Sequence, residues 1–328
     1  MKETFFKGLF YTGLPALLRY NKSHQKQATI LCMHRIGDES SVAMPPLTIK
    51  NFKRLLEYVC RHYEVCTIEG LQAYKGIKPP LVFSFDDGFL DFYENGLPLL
   101  RQYGVPCNVN VITSCLDFNY QIWTQKLVNF YDELVKRKYK FSAVINEQSV
   151  CVNQFDNKFI LKECLKIFFH LFSREEKYVS GFINQVQSKL PFSIPETPMM
   201  NWENLKTALA GHDIELGSHT KNHHILSNIK EEIFLAEEIV GSKTIIETNV
   251  GKKVSVIAYP NGDYNAQALE LSAEAGYRHF LAVGNKLVSL SQADTPLLTR
   301  MYIGYPGYYQ NIFKAENFHE IIKKILPG

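Results

Sequence analysis

A chain of 328 residues, 46% apolar and 21% charged, with 22 Phe, 18 Tyr and 2 Trp, holds enough hydrophobic material for a large core, which excludes global disorder and a mini-scaffold. Lys and Arg number 36 against 33 Asp and Glu, and the net charge of +3 is too small for the electrostatic footprint of a nucleic-acid binder. The length fits two domains of ~150 residues, or one α/β barrel of ~250 residues with an addition.

The first twenty residues interleave Phe5, Phe6, Leu9, Phe10, Leu14, Leu17 and Leu18 with Lys2, Lys7 and Arg19, which predicts an amphipathic N-terminal helix within residues 1–26. Such a stripe faces either a core or a membrane interface. It lacks the apolar segment and small-residue cleavage site of a secretory signal, and no apolar run of ~20 residues follows. Seven Cys, an odd count without a CxxC, fit a reducing compartment, and Cys32, Cys107 and Cys164 sit in apolar runs where a thiol acts as a small hydrophobe. The expectation is a cytoplasmic protein with peripheral membrane contact through residues 1–20.

Short apolar runs then recur with helical patterns between them: Thr29 to Met33, Leu81 to Phe85, Cys107 to Thr113, Ile214 to Gly217, Val254 to Ala258, His279 to Val283 and Leu297 to Ile303. Alternation of strand and helix implies parallel pairing, and seven strands suit an open or distorted (β/α) barrel with functional residues at the carboxyl ends of its strands. The barrel is expected over residues 27–328. Residues 117–200 break the rhythm with helical patterns at Trp123 to Lys138, Lys158 to Phe172 and Glu175 to Leu190, then a loop marked by Pro191, Pro195 and Pro198. This predicts an inserted, mostly helical lobe that shapes a substrate cleft or elaborates the packing.

Three of the runs end in residues that carry chemistry. Leu81-Val-Phe-Ser-Phe-Asp-Asp-Gly88 stops at two carboxylates. Neighbours at a strand end point apart, so one aspartate can bind a metal while the other faces a water. The alternative is an ordinary turn or helix cap. Glu215-Leu-Gly-Ser-His-Thr-Lys-Asn-His223 presents two histidines four apart, which on a helical turn share a face and offer two nitrogens to a zinc-type ion; His224 beside them is expected to be exposed. Two histidines and one carboxylate leave open positions for water, as a catalytic rather than a structural site does. Val256-Ile-Ala-Tyr-Pro-Asn-Gly-Asp263 runs into Pro and Gly, either a plain turn or one whose amides face an oxyanion.

Together, Phe85-Asp-Asp-Gly88, His219-Thr-Lys-Asn-His223 and Ala258-Tyr-Pro-Asn-Gly262 resemble the polysaccharide deacetylases (NodB-homology, carbohydrate esterase family 4), in a variant branch with a Tyr-Pro-x-Gly third motif. The resemblance implies a distorted (β/α)7 barrel and metal-dependent removal of an acetyl group from a sugar. By position, Asp87, His219 and His223 would hold one divalent metal, zinc first, with cobalt, nickel or iron as alternatives. Asp86 would be the general base and the Asn261 amide would join the metal in holding the oxyanion.

Two family features are missing. The C-terminal L-x-H acid has no copy after Gly262, since His279 opens an apolar run and His319 lies in a surface-type helix; His34, ending Ile30-Leu-Cys-Met-His34, is the candidate acid. Ala258 stands where the family has an arginine that orients the base, and Arg300, at a later strand end, is its candidate replacement. Tyr302, Tyr305, Tyr308 and Tyr309 are candidates for a sugar-stacking wall, with Trp123 and Trp202 assigned to core packing first. The expected activity is deacetylation of an N-acetylated glycan, or of a lipid- or nucleotide-linked sugar precursor, in surface-polysaccharide assembly. The alternatives are a deformylase of an aminosugar-lipid and a non-catalytic glycan-binding protein on the same fold.

Overall fold

The computed structural model describes residues 2–118, 120–284, 286–292, 296–304 and 307–318, so Tyr305 and His319 lie outside the described residues. Seven strands, β1 (Gln27–Met33), β2 (Pro80–Phe85), β3 (Cys107–Val111), β4 (Ile214–Ser218), β5 (Val256–Ala258), β6 (His279–Val283) and β7 (Leu297–Tyr302), pair in parallel, each with the next. Strand β7 closes onto β1 through Leu31 opposite Met301 and Cys32 opposite Tyr302. All seven apolar runs thus become the staves of one closed (β/α)7 barrel. The short strands Glu64–Val65 and Val288–Ser289 extend it at β2 and β1.

Side chains alternate between the two sides of each strand. Leu31, Met33, Phe83, Phe85, Val109, Ile257 and Met301 face outward into the layer of helices. Ala28, Ile30, Val82, Val256, Leu281 and Leu298 face inward and close the amino end of the barrel with Ile68 and Leu71, an apolar floor. Two residues further along the same strands the interior turns polar: Cys32, Ser84, Asn108, Asn110 and Arg300 are all fully buried.

The N-terminal segment is two helices rather than one: α1 (Lys2–Phe10) and α2 (Leu14–His24). Gly13, at φ 80°, breaks the chain direction, and a proline in the first turn of α2 favours a fresh start there. One side packs on the body: Phe6 lies 5.4 Å from Phe313, Phe10 lies 5.2 Å from Tyr309, and Glu3 accepts the Tyr309 amide. Lys22 is buried too, donating to Tyr63, and burial pushes its ammonium down to about 8. Phe5, Tyr11, Leu17 and Tyr20 stay exposed.

Between β3 and β4 rises a lobe with its own core, built on α3 (Trp123–Arg137), α4 (Asn157–Phe172) and α5 (Glu176–Ser188). It also contains an antiparallel hairpin, Phe141–Ile145 with Gln148–Val152. Asn146 and Glu147, at φ 46° and 66°, form the two-residue turn whose twist matches the flanking strands. Trp123 stacks on Phe168 within the lobe at 5.4 Å, and the Trp202 indole donates to Asp117. The proline-marked exit loop is tied to the segment after β2, where Gly88 O accepts from Met200 and Leu90 N donates to Pro198 O. Among the described residues no helix is long and apolar enough to cross a membrane.

Candidate active site

Strand β2 delivers the Asp86-Asp87 pair to the carboxyl end of the barrel. The Asp86 amide still bonds Met33 O on β1 at 2.9 Å, after which Asp87 and Gly88, at φ 73° and 86°, turn the chain sharply. Both carboxylates are buried. Asp86 Oδ1 accepts from Arg300 Nη1 at 2.6 Å and from Asn110 Nδ2 at 2.8 Å, and Oδ2 lies 3.4 Å from Cys32 Sγ. Arg300 also donates to Ser84 Oγ at 2.9 Å, and Ser84 donates to Asn108 Oδ1 at 2.7 Å. Gly217 makes room for this network: a Cβ there would lie 2.0 Å from Asn110 Oδ1.

Burial alone would push the Asp86 carboxyl up, but the Arg300 guanidinium, with His219 and His34 nearby, holds it well below the usual carboxylate range. Asp86 is therefore ionised and oriented, as a general base requires. Burial drives the Cys32 thiol up, beyond what Arg300 offsets, so this cysteine stays protonated beside the carboxylate.

The two histidines four apart do not sit on a helix. They flank a loop after β4 in which Thr220 and His223 take φ 65° and 60°. Ser218 Oγ accepts the Thr220 amide and Thr220 Oγ1 accepts the His223 amide. This coil brings the imidazole centroids to 4.9 Å. His219 Nδ1 lies 2.7 Å from Ala258 O, and because a carbonyl only accepts, Nδ1 carries the proton, which in the neutral ring leaves Nε2 its lone pair; burial lowers the His219 pKa, but Asp86 and Asp87 outweigh it and raise it. His224, contrary to expectation, is only 9% exposed, with Nδ1 3.2 Å from the buried Glu238, which also accepts the Asn222 amide and side chain. Burial raises the Glu238 carboxyl, and His224 and Asn222 outweigh it and lower it, so the pair anchors the histidine loop.

Asp87, His219 and His223 converge on one point. Asp87 Oδ1 lies 3.4 Å from His219 Nε2 and 3.6 Å from His223 Nε2, and makes no hydrogen bond although buried. Ligands of a tetrahedral ion with bonds of ~2.0–2.1 Å are about 3.3 Å apart, so this donor set fits a zinc-type cation. Burial lowers His223 to about 4, favouring the neutral, ligating form. Cys32, His34 and Asp86 form a second close set of donors, but Asp86 is already paired with Arg300 and the thiol stays protonated, which disfavours a cation there.

A cavity of about 290 Å3 opens over these groups, and His34, Asp86, Asp87, His219, His223, Asn261 and Arg300 all line it. The His34 ring lies 5.5 Å from that of Tyr302, and His34 Nδ1 is buried without a partner. After β5, Asn261 takes φ 55° and Gly262 φ 74°; a Cβ on Gly262 would lie 2.4 Å from Val283 N, so glycine is required. Of the proposed tyrosine wall, Tyr302 lines the cavity, whereas Tyr308 packs under the Arg54 guanidinium and Tyr309 against Phe10. The residues missed from sequence are Ser84, Asn108, Asn110 and Glu238. Inward alternation on β2 and β3 is the one signal for the first three.

A family model described as polysaccharide deacetylase matches residues 166–280, about a third of the chain, which takes in His219, His223 and Asn261 but not Asp86, Asp87, His34 or Arg300. No curated protein matches in sequence. Among solved structures, the deacetylase PplD of Streptococcus pyogenes, in complex with acetate, superposes with a TM-score of 0.58 at 16% identity, covering 88% of this chain and 98% of that one. IcaB from Ammonifex degensii gives 0.57 at 16%, covering 89% and 97%, and a de-N-acetylase from Aggregatibacter actinomycetemcomitans 0.53 at 16%, covering 84% and 94%. At such identities these likenesses establish the fold.

Proposed function

We propose that this chain, which carries a polysaccharide deacetylase domain on a NodB-like barrel and is a hydrolase of that type, removes N-acetyl groups from a glycan or from a lipid- or nucleotide-linked sugar precursor, with one divalent metal, zinc first. The observation that carries this reading is the pairing of an Asp87–His219–His223 donor set with a neighbouring carboxylate, Asp86, kept ionised by Arg300. A metal bound by the three donors would supply water of lowered pKa and polarise the acyl carbonyl. Asp86 would take the proton of the attacking water, with Arg300, Asn110 and Cys32 fixing its orientation. His34, in the same cavity, would protonate the leaving nitrogen, and the Asn261 amide would face the developing oxyanion. The seven unpaired cysteines favour a reducing, cytoplasmic setting, and exposed Phe5, Tyr11, Leu17 and Tyr20 suit peripheral contact with a membrane.

The test is acetate release from N-acetylated glycans by protein stripped of metal and reloaded with zinc. Asp86→Asn should keep the metal and lose about 10²–10⁴-fold in rate, His34→Ala should keep the metal and lose turnover, and Asp87→Ala with His219→Ala should lose the metal. Acetate release by Asp86→Asn at the wild-type rate would sink the mechanism. Binding of such glycans by the wild type without release would make the protein a glycan-binding module instead.

A further inference from the structure

The catalytic cavity has two unlike sides. Its charged groups gather on the barrel, and the one basic side chain beyond them, Arg35, is already paired with Asp91 at 2.7 Å. The lobe supplies the other side, where Ile122, Leu127, Val128, Leu165 and Phe168 outnumber the polar Thr124 and Gln125, and the Gln125 side-chain amide already donates to Asn129 at 2.7 Å. A wall of this kind offers few hydrogen bonds to sugar hydroxyls. A volume of about 290 Å3 is at the small end of ligand pockets, ~300–1,000 Å3, and holds one acylated sugar.

The apolar wall also continues out of the cavity. Helix α4 buries Ile160, Cys164, Ile167 and Leu171 in the lobe core, as one stripe of an amphipathic helix should. Its second stripe is apolar as well: Leu161, Leu165 and Phe169, four residues apart, are 40%, 42% and 65% exposed. Leu165 belongs both to this stripe and to the cavity lining, so the exposed strip joins the cavity at its middle residue. Surface apolar residues scattered singly need no explanation, but a strip continuous with a reaction cavity does.

From this continuity we infer that the substrate is an amphiphile, an N-acetylated sugar joined to a hydrocarbon chain that leaves the cavity past Leu165 and lies along Phe169, the more exposed of its two neighbours on the strip. The inference rests on the deacetylase reading and narrows it to the lipid-linked class. From 165 to 169 the strip runs about 6 Å, room for about four to five carbons beyond the cavity.

The experiment measures binding of monomeric methyl, butyl, octyl and decyl β-glycosides of N-acetylglucosamine, below their micelle concentrations, to zinc-loaded Asp86→Asn protein by calorimetry. Affinity should rise about fourfold per buried methylene until the strip is filled, so that the octyl glycoside binds at least 100-fold tighter than the methyl one. In a Leu161→Glu, Phe169→Glu double variant with unchanged melting temperature and metal content, that ratio should fall below tenfold. Equal affinities across the series, no binding at any length, or the same ratio in the double variant would overturn the inference. So would tight binding to phosphatidylcholine vesicles without chain-length dependence for the monomers, which would make the strip a bilayer contact. Acetate release from the same glycosides by the wild type reports separately on the deacetylase reading. Its absence alongside chain-length-dependent binding would sink that reading and leave the hydrocarbon strip standing.

Discussion

The two halves of the barrel interior are made by the same strands and could hardly differ more. Toward the amino ends, Ile30, Val82, Leu281 and Leu298 pack a dry floor; two residues on, Cys32, Ser84 and Arg300 join Asn108, Asn110 and Asp86 in a connected polar network. Both halves are buried, so burial does not explain the difference. A buried ion pair adds little net stability compared with well-packed apolar side chains, because desolvation offsets most of its attraction. The polar half is therefore maintained for what it does to Asp86 rather than for the energy of folding, whereas the floor contributes stability and no chemistry.

The largest effect should come from breaking the polar half unevenly. Arg300→Met leaves the Asp86 charge buried without its cation and should cost about 3–5 kcal/mol in urea unfolding as well as acetate release. Removing both charges, Asp86→Leu with Arg300→Met, should restore most of that stability and none of the activity; failure to recover would mean that the network is a structural element after all. In the floor, Ile30→Ala should cost about 3 kcal/mol through the cavity it leaves, with activity per folded molecule retained. A loss of turnover there would show that the halves are coupled.

The smallest effect sharpens the comparison at its lower edge. Glu215, near the start of β4, accepts the Ile68 and Glu69 amides and so ties down the segment that plugs the floor. Burial raises its carboxyl to about 7, beyond what these two hydrogen bonds offset. A folded-state pKa above the unfolded one means that the protonated form is favoured on folding. That stability is fully present below about 4.5 and is lost as pH rises through about 7. Wild type should thus lose about 1–2 kcal/mol between pH 5 and 8 relative to Glu215→Gln, read from denaturation midpoints at each pH.

How far the sequence can be read follows the same division. Strands were legible because most are short apolar runs ending in Gly, Pro or a charged residue, and Asp86, Asp87, His219 and His223 sit at or just beyond those ends. Arg300 could be singled out as a strand-end cation, but not the Ser84–Asn108–Asn110 ladder that holds it, because its members come from two strands and meet only once the barrel closes. Helical spacing misdescribed the histidine loop, since two left-handed residues achieve the same convergence in coil. His224 looked exposed because its partner Glu238 lies fourteen residues away on a helical turn. The break at Gly13 and the Asn146-Glu147 hairpin depend on positive φ, which composition alone marks weakly.

One contact has an evolutionary corollary. The group that sets the His219 tautomer is the main-chain oxygen of Ala258, and every amino acid carries that oxygen. A side-chain partner can be lost by a single codon change, but this one survives any replacement at 258 that leaves β5 in register. The backbone carries the role, so neither alanine scanning nor comparison of residue identities there would reveal that it orients the His219 ring.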